Sequence, residues 1–136
     1  MVARIPVRIV RIYCPVAIET LVAMTTRDTA ALERDPTLAA MLAIIRDDNP
    51  IGDFGPYRSV VEMTPGWEMF TPGADARPTL GEADQGQLSP TAILTVHIAA
   101  GVPDEIFGDI LDSFLAAHPW EVPVIELFHA ELLTRS

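Results

Sequence analysis

The sequence predicts an α+β domain of the ferredoxin-like (split βαβ) class, an antiparallel four-stranded sheet with its helices on one face. Three observations carry this. Strand-like and helix-like stretches follow one another as strand, helix, strand pair, strand, helix, strand. The chain has 136 residues, of which 49% are hydrophobic, so residues 1–136 read as one domain with one core. The first, third and last long strands carry apolar residues on both faces, which suits a sheet covered on one side by helices and on the other by a second copy. Two additions are expected: an extra helix between strand 1 and strand 2, and a hairpin in the middle of the chain.

Residues Arg4 to Tyr13 are rich in Ile and Val and predict the first strand. Ile5, Val7 and Ile9 share one face; Arg8, Val10 and Ile12 share the other. Cys14-Pro15 ends it. Val16 to Thr26 places Ile18, Leu21, Val22 and Thr25 at helical spacing, and Thr29 to Arg34 either continues that helix or forms a short second piece. Asp35-Pro36 restarts a helix, with Asp as N-cap and Pro at the first position. That helix runs to about Arg46 with Leu38, Met41, Leu42 and Ile45 on one stripe.

Residues 51–90 are dominated by turn formers. Ser59 to Thr64 and Trp67 to Thr71 read as two short strands joined at Pro65-Gly66. Residues 72–89 read as a long loop, either a functional lid or disordered, with Leu80 and the aromatics before it pointing to a part that is pinned down. Pro90 to Ala99 alternates as a central strand, with Ile93, Thr95 and His97 on one face. A helix follows Pro103, opened by Asp104 and Glu105 at the positive end of its dipole. Ile106, Phe107, Ile110, Leu111, Phe114 and Leu115 form its apolar stripe. Pro119 stops the helix, because its ring cannot continue the hydrogen-bond ladder. The last strand is expected over Val122 to Phe128, with 129–136 as a tail.

The net charge of −10 comes from 19 acidic residues against nine arginines, with no lysine. Such a chain repels phosphate backbones, so nucleic acid is excluded as a partner class. No stretch approaches the roughly 20 apolar residues of a membrane helix, which argues against a membrane partner. Arg4, Arg8 and Arg11 interrupt the N-terminal apolar run, unlike a signal peptide. The expectation is a soluble, cytoplasmic protein. Cys14 stands alone, so neither an internal disulfide nor a cysteine-based zinc site is available.

The corner HPWEVPVIEL, residues 118–127, resembles the HPYEVPEI signature of the CutA divalent-cation tolerance proteins and the HPYEEPAYDV signature of the domain inserted in the YqfO/YbgI family. The middle of the chain favours the second. Ile51-Gly52-Asp53-Phe54, Gly66 with Phe70-Thr71-Pro72-Gly73, and Ala76, Pro78 and Gly81 follow that inserted domain's pattern of IGxY, a Gly-x-x-x-Phe-x-Pro hairpin and an AxPxxG loop. The resemblance covers roughly residues 4–13 and 36–128. It implies a ferredoxin-like fold related to PII and CutA proteins, which assemble as trimers. The chain departs from the pattern in residues 15–35, longer by about one helix, and at Trp120 and Val122. The dimetal chemistry of the YqfO/YbgI family belongs to domains flanking the insert and is not carried over to these residues.

The candidate sites follow from this. For a small ligand, neutral or cationic, held between subunits, Asp53, Tyr57, Arg58, Trp67 and Arg77 are nominated from the glycine-rich middle and the long loop. For a divalent metal ion, imidazole and carboxylate point to His118 and Glu121 with His97; the alternative for His118 is a helix cap. No catalytic residue is assigned. Cys14 reads as a small buried thiol rather than a nucleophile. Glu62 and Glu68 are solvated strand positions, or a carboxylate pair. The reading is a non-enzymatic homo-oligomer, a trimer by resemblance, that binds a small ligand, a metal ion or a protein partner. The alternative is a dimeric α+β barrel enzyme of the monooxygenase type, using His97 with Trp67.

Overall fold

The computed structural model describes residues 1–78 and 80–135. Its elements are β1 (Val2–Pro15), α1 (Ile18–Thr26), α2 (Thr29–Arg34), α3 (Pro36–Arg46), β2 (Glu62–Phe70), β3 (Gln87–Ala99), α4 (Asp104–Ala117) and β4 (Ile125–Arg135). The strands form one antiparallel sheet in the order β2-β3-β1-β4. This is the ferredoxin-like arrangement predicted from the element order, with α1 and α2 as the insertion ahead of α3.

The core lies between the sheet and α3 and α4. Val10, Ile12 and Cys14 of β1 and Ala92, Leu94, Val96 and Ile98 of β3 are fully buried against Leu38, Met41, Ile45 and Phe114. The predicted stripe Leu38, Met41, Leu42 and Ile45 is the buried set of α3. Each such side chain contributes roughly 1.5–3 kcal/mol by leaving water.

Asp35 explains how the insertion is tied down. One carboxylate oxygen accepts from the N–H groups of Thr37 and Leu38, capping α3. The other accepts from the Ala17 N–H and the Thr20 hydroxyl at the start of α1. That second grip turns Thr20, Leu21 and Ala23 inward and leaves Ile18 and Val22 exposed. The face of α1 predicted from its apolar spacing is therefore only partly the buried one. Arg27, at φ 59°, breaks the chain between α1 and α2, so 29–34 is a separate short helix.

Two strand predictions are corrected. Pro65-Gly66 is not a turn: β2 runs straight through it, with Pro65 opposite Ala92 and Gly66 opposite Thr91. β2 is an edge strand, where a residue without an N–H is tolerated. The predicted small hairpin is thus one strand, and the real hairpin is β2 with β3, closed by residues 71–86. The last strand begins later and runs further than predicted. Pro123 has no N–H to offer the ladder; Val124 then accepts from the Tyr13 N–H, and β4 pairs with β1 from Ile125↔Ile12 to Arg135↔Val2. The predicted tail is therefore mostly strand; its final residue, Ser136, lies outside the described residues.

Arg8 is the charged side chain buried on the helix-covered face, 9% exposed. It donates to the Val102 and Ala100 carbonyls and to Asp104, and it lies 4.0 Å from the centre of the Phe107 ring. It clamps the β3–α4 connection. Gly52 has a comparable backbone role at the edge of β3. Its N–H donates to the His97 carbonyl, its carbonyl accepts from Val60, and its φ is +63°. A Cβ there would stand 2.4 Å from the Val60 oxygen, so only glycine fits.

Candidate functional site: a cleft at the foot of the sheet

Side chains of one strand parity face the helices, and the other parity faces away. On the second face Ile9 lies opposite His97 and Phe128, Arg11 opposite Thr95 and Glu126, and Tyr13 opposite Ile93. Among the described residues no helix covers it. Toward its lower end, where β1 and β2 finish, two irregular segments fold over it. One is the loop after β2. The other is the corner from His118 to Val124.

Between them lies a cleft of about 430 Å³. Glu68 and Phe70 of β2, Pro72, Ala76, Pro78 and Leu80 of the loop, and Trp120, Glu121, Val122 and Val124 of the corner line it. The Phe70 and Trp120 rings meet edge to face at 5.1 Å. Glu121 Oε1 accepts from the Arg77 N–H at 2.8 Å, so the corner holds the loop. Glu68 Oε1 is buried and has no hydrogen-bond partner among the described residues. Burial of that carboxyl raises its pKa above the ordinary value.

His118 builds the corner. Its backbone N–H donates to the Phe114 and Leu115 carbonyls and ends α4. Its ring Nδ1 accepts from the Trp120 N–H at 3.1 Å, which leaves Nε2 as the donor to the Tyr13 carbonyl at 2.8 Å. Burial lowers the imidazole pKa, with the bond to Tyr13 working in the opposite sense. A neutral ring with both nitrogens bonded is a latch between α4 and β1.

The predicted residues fall in different places. His97 lies against the Phe54 ring at the upper end of the open face, His118 is in the latch, and Glu121 is in the cleft wall. The nominated metal trio is not brought together within the chain, and no group of three His, Cys, Asp or Glu among the described residues is placed to hold a metal ion. Asp53, Tyr57 and Arg58 line a separate polar cleft of about 640 Å³ with Arg46, Asp47 and Asp48. Arg77 reaches the lower cleft through its backbone alone. Trp67 lies opposite Pro90, seven residues from His97, so the two point to opposite faces and do not form the pair nominated for an enzyme. Glu62 and Glu68 are six residues apart on one strand, roughly 20 Å by the rise of a strand, too far to act as a pair. Cys14 is in the core, and desolvation first, then Asp35 and Glu68, pushes its thiol up to about 12. It stays protonated.

The lower cleft was only half visible in the sequence. Phe70, Val122 and Val124 are not among the nominated residues, although the FTPG and HPWEVPVIEL stretches that hold them carry the resemblance. Thr79, inside the predicted loop, lies outside the described residues.

No family model matches the chain. Sequence comparison does find relatives. The chain is similar to GTP cyclohydrolase 1 type 2 homologs. Those of Listeria monocytogenes and Listeria innocua are each 34% identical over 88 residues, 64% of this chain. The match spans 22% of the length of those relatives. Among solved structures, a Bacillus cereus protein related to NIF3 superposes on 94% of this chain and 26% of its own, with a TM-score of 0.59 at 14% identity. That likeness shows a shared fold. The periplasmic divalent cation tolerance protein CutA of Archaeoglobus fulgidus covers 90% of this chain and 81% of its own at a TM-score of 0.42 and 16% identity.

Proposed function

We propose that the chain is a non-enzymatic, homo-oligomeric PII/CutA-like binding protein, a relative of the domain inserted in the YqfO/YbgI family, working in the cytoplasm. The uncovered sheet face is the observation that carries the assembly. Ile5 and Phe128 are 42% and 36% exposed, and Ile9, Tyr13 and Ile93 are half-buried beside them. An apolar sheet face of this kind calls for a second layer, and a further copy supplies one. Three copies are proposed, following the resemblance to PII and CutA proteins.

A small ligand is proposed to bind in the lower cleft, at the boundary between copies. Val122 on its rim is 76% exposed and free to meet a neighbouring chain. The side chains considered for chemistry have structural roles or stand apart: Cys14 in the core, His118 in the latch, Glu62 distant from Glu68. The activity in the relatives' name is not carried to this chain, because the match spans 22% of their length.

The test is the mass in solution by light scattering after size exclusion. Three times the chain mass of 14.8 kDa is expected. A clean dimer favours the α+β barrel alternative, and a monomer removes the assembly altogether.

A further inference from the structure

The sheet has two edges, and they are guarded differently. β2 carries Pro65 and Gly66 in mid-strand, which blunt it as a template for another strand. β4 has neither residue. Its 11 residues run unbroken from Ile125 to Arg135, paired with β1 on one side, and among the described residues no strand lies on the other. A row of backbone donors and acceptors therefore faces outward along its length. Beside that edge, on the helix side of the sheet, Leu127 and Leu133 are 53% and 70% exposed, so the helices do not cover them. His129 is exposed between them, and the Glu131 side chain keeps 55% exposure with Arg4 at 4.0 Å.

The sequence of β4 is complementary to itself. Laid antiparallel on a second copy about its midpoint, Ala130, the strand sets Leu127 opposite Leu133, Phe128 opposite Leu132 and His129 opposite Glu131, each pair occurring twice. Every pair joins residues of the same parity, so both faces of the two sheets stay aligned. No like charges face each other. Moving the centre by one residue sets Glu131 opposite itself, or opposite Leu127. We propose that β4 is a docking edge for β4 of a second copy, antiparallel and two-fold about Ala130, joining two four-stranded sheets edge to edge. The apolar pairs cover exposed surface, the His129 imidazole donates to the facing Glu131 carboxylate, and the outward backbone groups satisfy one another. One strand from each copy builds the contact, so it is transient. It forms at high protein concentration and is absent from the dilute column eluate in which the mass of the assembly is read. It uses the rim of the sheet and adds to the proposed association through the open face without depending on it.

The test is disulfide trapping in the full chain. Directly opposed residues of an antiparallel pair have Cα atoms about 4.5–5.5 Å apart, within disulfide reach, and Ala130 is the residue that faces itself. Cys14 is fully buried, so an introduced thiol reacts alone. Under air oxidation at high protein concentration, Ala130→Cys is expected to give a covalent two-chain product at least about tenfold faster than Thr134→Cys, which faces Glu126. Adding Leu133→Glu is expected to slow that product about fivefold, and adding Leu127→Arg as well to restore it, because the two positions meet only across the two-fold. The product is also expected to persist in the Ile93→Arg background, where the open face carries a charge. Equal rates for Ala130→Cys and Thr134→Cys, a rate indifferent to Leu133→Glu, or loss of the product with Ile93→Arg overturns the proposal; the last assigns the contact to the open face. Should Ala130→Cys lose its folded circular dichroism spectrum, a mixture of Phe128→Cys and Leu132→Cys replaces it. That mixture must link faster than either variant alone, and equal rates overturn the register.

Discussion

The two faces of this sheet are built from alternate residues of the same strands, and they differ in what covers them. On the helix side Val10, Ile12, Leu94 and Val96 are fully buried. On the other side Ile9, Tyr13 and Ile93 keep partial exposure, Phe128 keeps 36%, and Arg11 pairs with Glu126 at 3.6 Å between them. The chain closes the first face by itself. It closes the second only at its ends, with Phe54 on His97 at the top and the loop and corner at the foot. One face therefore carries the stability of the single chain, and the other is the face proposed to meet further copies. A surface ion pair such as Arg11–Glu126 adds little to either.

The largest effect belongs to the closed face. Phe114 is the largest fully buried side chain, and Phe114→Ala is expected to cost about 3–5 kcal/mol in chemical denaturation through lost burial and the cavity left behind. Next comes the seam between the faces. Gly52→Ala forces a side chain onto the Val60 backbone at positive φ and is expected to cost at least about 2 kcal/mol, read as a lower denaturation midpoint. A wild-type midpoint in that variant would mean that the IGDF turn does not fix the edge of β3.

A smaller effect comes from the latch. His118 has a folded-state pKa below the unfolded value of 6.5, so the folded chain binds the proton less readily than the unfolded one. Its contribution to stability is full above pH 6.5 and is lost as pH falls through the depressed folded value. Glu68 acts in the opposite sense. Its raised pKa gives a contribution that is full below 4.5 and lost as pH rises through the folded value. Melting temperatures of wild type and His118→Gln, compared between pH 7.5 and 5.5, should show a fall in the wild type that the variant lacks. Parallel curves would show that the ring does not act as a neutral latch.

What was legible in the sequence was what is decided locally. The Asp35-Pro36 start and the Leu38, Met41, Leu42, Ile45 stripe of α3 need only neighbours three and four residues away. The Pro65-Gly66 dipeptide misled because its local preference for a turn yields to the ladder that β3 offers along the edge. The reach of β4 was hidden for a similar reason, since residues 129–135 become strand through pairing with Val2 to Arg8 of β1. The site was legible as motifs and not as a place. Glu68 reads as one more solvated strand residue, and only the fold sets it in one cleft with the loop and Trp120; no spacing within β2 encodes that.

The division of labour between the faces is tested most directly by placing a charge in the middle of the open one. Ile93 faces away from the helices, between Tyr13 on β1 and Thr64 on β2. The mass of Ile93→Arg should be measured by light scattering beside wild type, together with its thermal unfolding. The prediction is a trimeric wild type and a monomeric variant that still unfolds cooperatively. A variant with the wild-type mass, or a wild type that is already a monomer, would contradict the claim that this face is where copies of the chain meet.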